Sequence, residues 1–296
     1  MKELVVVSGK GGTGKTSLTA AFSSLSNRHI LCDADVDAAD LHLILSPEIK
    51  KRTDFYGGSK AVIDPKRCSR CGKCLKLCRF GAIDEDFVVD SIVCEGCGVC
   101  VDFCPDTAID FLTQKCGEWF VSDTRVGPMV HARLGIAEEN SGKLVSCIRQ
   151  EARKLAEEQQ ADMIITDGPP GIGCPVIASI GGATALAMVV EPTVSGLHDM
   201  NRLADLAQHF RVPCFLCVNK FDLNLDMAER LEEEAQWRQM QIIGRIPFDP
   251  VFTAAMISGQ TVIEYGKDSA VAGAVRSIWE NITSTPVMSS KGLRML

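Results

Sequence analysis

SGKGGTGKT, Ser8–Thr16, is the stretch on which the reading of this chain turns. Gly9, Gly14, Lys15 and Thr16 satisfy the pattern G-x-x-x-x-G-K-[ST]. The apolar run Leu4–Val7 precedes it and a helical pattern over Lys15–Leu25 follows, which is the strand, loop and helix order that a phosphate-binding loop requires. Glycines let backbone N–H groups approach phosphate oxygens, and the Lys15 ammonium offsets phosphate charge. Thr16 offers a hydroxyl to Mg2+, and the helix N-terminus adds partial positive charge. Gly11, Gly12, Thr13, Gly14, Lys15, Thr16 and Ser17 therefore form the expected nucleotide cradle. Lys10 is a second lysine that this chemistry does not need.

Outward from the loop, RHILCDADVD gives a second short apolar strand ending in Asp33, Asp35 and Asp37, with Asp40 beyond. ADMIITDGPPG, ATALAMVVEPT, VPCFLCVNKFD and QIIGRIPFDP are likewise apolar runs followed by polar, Gly or Pro residues, as buried parallel strands are. Amphipathic helical stretches lie between and after them at 143–159, 196–210, 225–239 and about 269–282. Strands alternating with helices predict an α/β fold, a doubly wound, mostly parallel sheet with its chemistry at the carboxyl ends of the strands.

The 296 residues are 46% hydrophobic with a formal charge of −7, which supports a globular core and argues against nucleic acid as a partner. No apolar run reaches the roughly 18–20 residues of a spanning helix, so no integral membrane segment is expected. Met1 leads into a strand rather than a signal peptide, so a cytoplasmic location is expected. The tail TSTPVMSSKGLRML reads as frayed.

Fourteen cysteines do not fit disulfides in a reducing compartment. Eight lie in two runs that repeat at an offset of 26, IDPKRCSRCGKCLKLCRFGAI and VDSIVCEGCGVCVDFCPDTAI, the mark of a tandem duplication. Cys68, Cys71, Cys74 and Cys78 form C-x2-C-x2-C-x3-C, and Cys94, Cys97, Cys100 and Cys104 repeat it. This is the spacing of two-cluster ferredoxins, in which the fourth cysteine of each run ligates the other cluster. Cys68, Cys71, Cys74 and Cys104 are thus expected to hold one [4Fe–4S] cluster, and Cys94, Cys97, Cys100 and Cys78 the other. Structural zinc is the alternative, but two duplicated four-thiolate runs exceed what zinc needs. Arg79 stands where a proline follows the fourth cysteine of the second run. An inserted α+β ferredoxin-like domain over 60–114 then interrupts a discontinuous ATPase domain of 1–59 and 115–296. Cys32, Cys116, Cys147, Cys214 and Cys217 read as small hydrophobes. Cys214 and Cys217, three apart in a strand, point to opposite faces.

With Lys10 in place, KGGTGKT resembles the deviant Walker A motif of the MinD/ParA group, which includes the nitrogenase iron protein and the Mrp/NBP-type iron–sulfur carriers. The whole chain resembles MinD-superfamily ATPases with a ferredoxin insert, proteins of anaerobes. The resemblance implies ATP and Mg2+ as cofactors beside the two clusters, and ATP hydrolysis. It implies that Lys10 reaches across a nucleotide-sandwich dimer to the partner's phosphates. Asp35 matches the switch carboxylate that orients the attacking water or a Mg2+-bound one, with Asp37 its competitor and Asp33 and Asp40 capping or solvated. Asp167 matches the carboxylate that holds Mg2+ through water, and Gly171 a γ-phosphate donor. Asn219 and Lys220 match the adenine side, and Pro247 and Asp249 the second purine wall. Cys174 stands where the nitrogenase iron protein has a bridging-cluster ligand, but Asn140 replaces the second cysteine that such a cluster needs. The function implied is a nucleotide-gated dimer, a homodimer or a heterodimer with a paralogous ATPase, that controls electron delivery to a redox or acceptor protein. The alternatives are a cluster carrier or scaffold, and a redox-sensing, MinD-like positioning ATPase.

Overall fold

The computed structural model describes residues 1–135 and 141–289; Asn140 and the last seven residues of the tail lie outside them. In chain order the elements are β1 (Lys2–Ser8), α1 (Lys15–Leu25), β2 (His29–Asp33), α2 (Leu41–Leu45), β3 (Glu48–Ile63), α3 (Lys73–Leu77), α4 (Val99–Asp102), β4 (Ile109–Thr124), β5 (Gly127–Leu134) and α5 (Ser141–Glu158). There follow β6 (Met163–Pro170), α6 (Cys174–Ile180), β7 (Ala185–Val190), α7 (Val194–Phe210), β8 (Cys214–Asn219), α8 (Leu225–Trp237), β9 (Gln241–Ile246), α9 (Val251–Ile257), α10 (Val262–Tyr265) and α11 (Ala270–Ser284). The chain divides into two compact units. The first comprises Met1–Thr53, Trp119–Arg133 and the chain from Ser141; the second comprises Asp54–Glu118 with a short segment starting at Leu134.

The first unit is an α/β layer structure on a sheet of order β3-β4-β5-β2-β6-β1-β7-β8-β9. The pairs β5–β2, β2–β6, β6–β1, β1–β7, β7–β8 and β8–β9 are parallel. Alternate residues of its strands feed two cores. Leu4, Val6, Ala187, Val189 and Cys217 pack on one face with α1 and α11. Val5, Val7, Met188 and Leu216 pack on the other with α7 and α8. Phe22 of α1 stacks on Trp279 of α11 with centroids 5.4 Å apart. Thr193, Asn224 and Ser269 cap α7, α8 and α11 by accepting backbone N–H bonds. Among the described residues no helix is long and apolar enough to cross a membrane.

β3, β4 and β5 are strands that the apolar-run reading does not foresee. β3 is largely exposed and polar, so its sequence carries no core signal. The expected boundaries at 60 and 114 fall inside β3 and β4, both of which run from the first unit into the second.

The second unit is built of two interlocked halves. Asp64 N donates to Ala108 O at 2.8 Å, and Asp90 N donates to Ala82 O at 2.8 Å. Those partners are related by the 26-residue repeat, so each half closes on the other as a pseudo-two-fold pair. The local turns repeat as well. Asp64 Oδ1 and Asp90 Oδ1 accept from the backbone two residues on, at 2.9 and 2.8 Å. Gly72 and Gly98 start α3 and α4 with φ 73° and 77°, a left-handed conformation that glycine adopts without strain. Ala61, Cys74, Ile83 and Ile109 form a small core against which further cysteine and aliphatic side chains pack, Cys78, Cys94, Cys100 and Cys104 among them.

Candidate functional site

At the carboxyl end of β1, the centre of the parallel sheet, the loop of residues 8–16 turns into α1 through Gly14, whose φ is 88°. The neighbouring strand β6 delivers Asp167, and β2 delivers Asp33 and leads to Asp35. Lys15 is only 5% exposed, so its ammonium needs partners. It lies 2.9 Å from Asp167 Oδ1 and 3.4 Å from Asp35 Oδ2. Burial would lower its pKa, but the charges of Asp167 and Asp35 outweigh burial and hold it above the usual lysine value. Thr16 Oγ1 donates to Asp167 Oδ2 at 2.7 Å and Thr19 Oγ1 to Asp167 Oδ1 at 2.9 Å.

Asp33 is fully buried and its Oδ2 has no hydrogen-bond partner among the described residues. Burial, and then the charge of Asp167, push its carboxyl well above the usual range. Asp35 is raised by burial and pulled back in part by Lys15. Asp37 is exposed, and Asp40 precedes α2 without making a side-chain cap. Three buried carboxylates beside one ammonium leave excess negative charge. Together with the Thr16 hydroxyl they suit Mg2+, which binds few protein oxygens and keeps water and phosphate as its other ligands.

Lys10 is exposed, and its Nζ donates to Ser195 Oγ in the first turn of α7 of the same chain. Gly9 is pressed against that helix: a Cβ there would stand 2.1 Å from Asp199 Cβ. Gly171, at φ 86°, gives its N–H to Ser8 O at 3.0 Å. Asn219 Nδ2 donates to Thr13 O at 2.7 Å, which ties the end of β8 to the loop. Lys220 Nζ meets Glu191 Oε1 at 2.5 Å and Gly12 O at 3.4 Å. A cleft of about 160 Å3 opens beside these groups, lined by Gly12, Ser17, Asn219, Lys220, Pro247 and Phe252 among others. Gly11 is exposed, and Thr13 is buried with its hydroxyl unpartnered. Sequence reading missed Thr19, Ser195 and Glu191. Thr19 had a signal: it lies one helical turn after Lys15, whose carbonyl accepts from it at 3.0 Å.

In the second unit Cys78, Cys94, Cys97 and Cys100 line one small cavity, together with mostly apolar side chains such as Ile83, Val89 and Phe111. That is three cysteines of the second run with the fourth of the first. Arg70 N, Ala82 N and Ala108 N point at the sulfurs of Cys68, Cys78 and Cys104 at 3.4, 3.4 and 3.3 Å. Burial, with the nearby sulfurs of Cys68 and Cys71, raises the Cys74 thiol; burial with those of Cys94 and Cys97 raises that of Cys100. Among the described residues no three His, Cys, Asp or Glu side chains converge as one metal ion requires. A tetrahedral zinc needs such convergence, whereas thiolates around a four-iron cluster each bind a different iron. The sulfurs gathered at the cavity are a donor type that both groups take.

Cys217 packs in one core of the first unit and Cys214 against the other, and burial pushes both thiols up to about 12. Cys32 and Cys116 are buried, and Cys147 is half-buried. Cys174 is exposed at the start of α6; Asn140, its expected counterpart, lies outside the described residues.

Comparison with known proteins agrees with the loop and the sheet. The chain is 30% identical over 285 residues to the uncharacterized protein MJ0578 of Methanocaldococcus jannaschii, covering 95% of this chain and 96% of that protein. It is 23% identical to MJ0579 of the same organism, covering 76% and 83%. Among solved structures it is similar to the cell division ATPase MinD of Pyrococcus furiosus, with TM-score 0.59, 18% identity and coverage of 95% and 98%. It is also similar to the Pyrococcus horikoshii septum site-determining protein MinD complexed with Mg-ADP, with TM-score 0.60, 16% identity and coverage of 96% of both chains. The family described as the CobQ/CobB/MinD/ParA nucleotide binding domain matches residues 4–262, and the chain belongs to that family.

Proposed function

We propose that this chain is an ATP-dependent switch that carries two [4Fe–4S] clusters and couples nucleotide-dependent pairing of two chains to electron transfer. The observation that carries the reading is the cavity lined by Cys78, Cys94, Cys97 and Cys100, because it gathers the crossed ligand set that two-cluster spacing calls for. When bound, such a cluster supplies one-electron storage. The inserted cluster domain spans 60–114, within an ATPase domain of 1–59 and 115–296.

In this reading Lys15 binds the phosphates, Thr16 and Asp167 hold Mg2+, and Asp35 orients the attacking water. Asn219, Lys220 and Pro247 take the adenine side, where the cleft lies. Lys10 leaves Ser195 and acts on the nucleotide of a partner chain. Eight cysteines form two complete four-thiolate sets, and complete ligation retains clusters rather than passing them on, which disfavours a carrier. A positioning ATPase draws on the MinD neighbours, but at 16–18% identity they speak to fold alone.

The test is anaerobic reconstitution with iron and sulfide, an iron and sulfide count per chain, and reduction followed with and without MgATP. About eight irons per chain and a nucleotide-dependent change in potential or reduction rate are expected. Failure to retain iron, or indifference of both quantities to nucleotide, would overturn the proposal.

A further inference from the structure

The two halves of the second unit share a backbone plan but not its charges. The repeat pairs Lys66 with Ile92, Arg67 with Val93, Ser69 with Glu95, Arg70 with Gly96 and Lys73 with Val99. From Lys66 to Arg79 there is no acidic residue, and from Phe80 to Gln114 there is no basic one. Crossed ligation partly mixes these surroundings, so they are compared set by set. Within two residues of a ligand, the set Cys68, Cys71, Cys74 and Cys104 has Lys66, Arg67, Arg70, Lys73 and Lys76 against Asp102 and Asp106. The set Cys94, Cys97, Cys100 and Cys78 has Lys76 and Arg79 against Glu95 and Asp102. The first set has three net positive charges and the second none.

Side-chain contacts narrow this difference without removing it. Arg67 is engaged by Asp64 at 2.9 Å and Asp110 at 2.7 Å, and Asp106 accepts from the Ser69 hydroxyl. Lys66, Lys73 and Lys76 are exposed and make no ion pair among the described residues. Glu95 lines the cavity of the second set directly. The Arg79 guanidinium, the cation beside Cys78, lies over the Phe80 ring 5.5 Å from its centroid. Hydrogen bonds to sulfur differ in the same direction. Among the described residues, backbone N–H groups point at the Cys68 and Cys104 sulfurs of the first set and at the Cys78 sulfur of the second.

Resting on the two-cluster reading above, we infer that the two ligand sets are electronically inequivalent, and that Cys68, Cys71, Cys74 and Cys104 hold the higher-potential cluster. Adding one electron makes a four-iron cluster and its thiolates more negative by one charge. Nearby cations and N–H donors to sulfur stabilise that extra charge, while a carboxylate such as Glu95 opposes it. A one-electron donor of low potential is oxidised by one electron, the first set takes that electron, and no proton moves. A second donor is needed to fill the other set. The first electron to enter the unit therefore comes to rest among Lys66, Arg70 and Lys73, and a partner that collects it does so from that basic side.

The experiment is a redox titration of the anaerobically reconstituted chain, followed by electron paramagnetic resonance, with dithionite and mediators as reductant. Two resolved one-electron steps are expected. Replacing Lys66, Arg70 and Lys73, which lie beside ligands of the first set alone, together by Gln should lower the upper midpoint and leave the lower one within error. Glu95→Gln should raise the lower midpoint alone. The gap should narrow as salt rises, because exposed charges are screened. A single merged step in the wild type, or a triple variant that moves the lower midpoint instead, would overturn the inference. The iron count of the same samples separates the two failures. Eight irons with coincident midpoints sink only the inequivalence, whereas no retained iron sinks the cluster reading itself.

Discussion

Thr16 and Asp167 hold each other, the Thr16 hydroxyl donating to Asp167 Oδ2 at 2.7 Å across 151 positions of chain. Two groups suited to a magnesium ion are thus joined directly, and Lys15 closes the arrangement on the other carboxylate oxygen. Asp167→Ala should destabilise the chain by roughly 3–5 kcal/mol, because it strips a buried ammonium of its nearest counter-charge. Asp167→Asn keeps the acceptor for the hydroxyls and should lose less. Both variants should lose the Mg2+ dependence of nucleotide binding; urea unfolding and calorimetric titration measure the two effects.

Lys10 and Lys15 should separate cleanly in binding assays. Lys15→Ala removes the buried phosphate partner and should abolish nucleotide binding. Lys10→Ala, at an exposed position whose ammonium meets Ser195, should bind nucleotide normally but lose ATP-dependent pairing and turnover. Light scattering with a fluorescent nucleotide titration reads both. Equal defects in the two variants would remove the proposed action of Lys10 on a partner chain.

Acid should weaken the first unit through two histidines. Burial lowers His29 and His131 from 6.5 to about 4, with His42 adding a smaller push on His131. Between those values the unfolded chain binds more protons than the folded one. Stability is therefore full above about pH 6.5 and falls as pH drops toward 4, by on the order of 3 kcal/mol per histidine at most. His131→Phe should flatten part of that slope. It also strands the Ser122 hydroxyl, now 2.9 Å from His131 Nε2, and so lowers stability at every pH. Unfolding midpoints at about pH 7.5 and about pH 5 provide the comparison.

Gly9→Ala should lower stability by about 1–3 kcal/mol and weaken nucleotide binding, since its Cβ would stand 2.1 Å from Asp199 Cβ and force the loop or α7 aside. Adding Asp199→Gly should restore much of the nucleotide affinity even though glycine weakens the helix by about 1 kcal/mol. If the double variant binds no better than Gly9→Ala, the contact with α7 is not what limits the loop.

Much of this was legible in the sequence. Lys15–Leu25 is a helix with the expected ends, since Gly14 leaves it no other place to start. The apolar runs after positions 161, 183, 212 and 241 are strands of the parallel sheet. β3 was not legible because an exposed polar strand carries no core signal, and β4 and β5 were not because Glu118 and His131 interrupt their buried stretches 116–120 and 129–132. Nor was the parking of Lys10 on Ser195, which joins residues 185 positions apart and depends on how α7 docks. Thr19 lay between these cases, visible only as a residue one turn from a lysine already singled out.

The reciprocal bonds Asp64 to Ala108 and Asp90 to Ala82 bear on how such a unit arises. Neither half contains the carbonyl that its own aspartate N–H uses, nor, on the crossed assignment, its own fourth ligand. An ancestral peptide of one repeat would be finished only when a second molecule lay against it, lending what it borrowed. Duplication in tandem fused that exchange into one chain, and only then could the two former equals drift apart in charge.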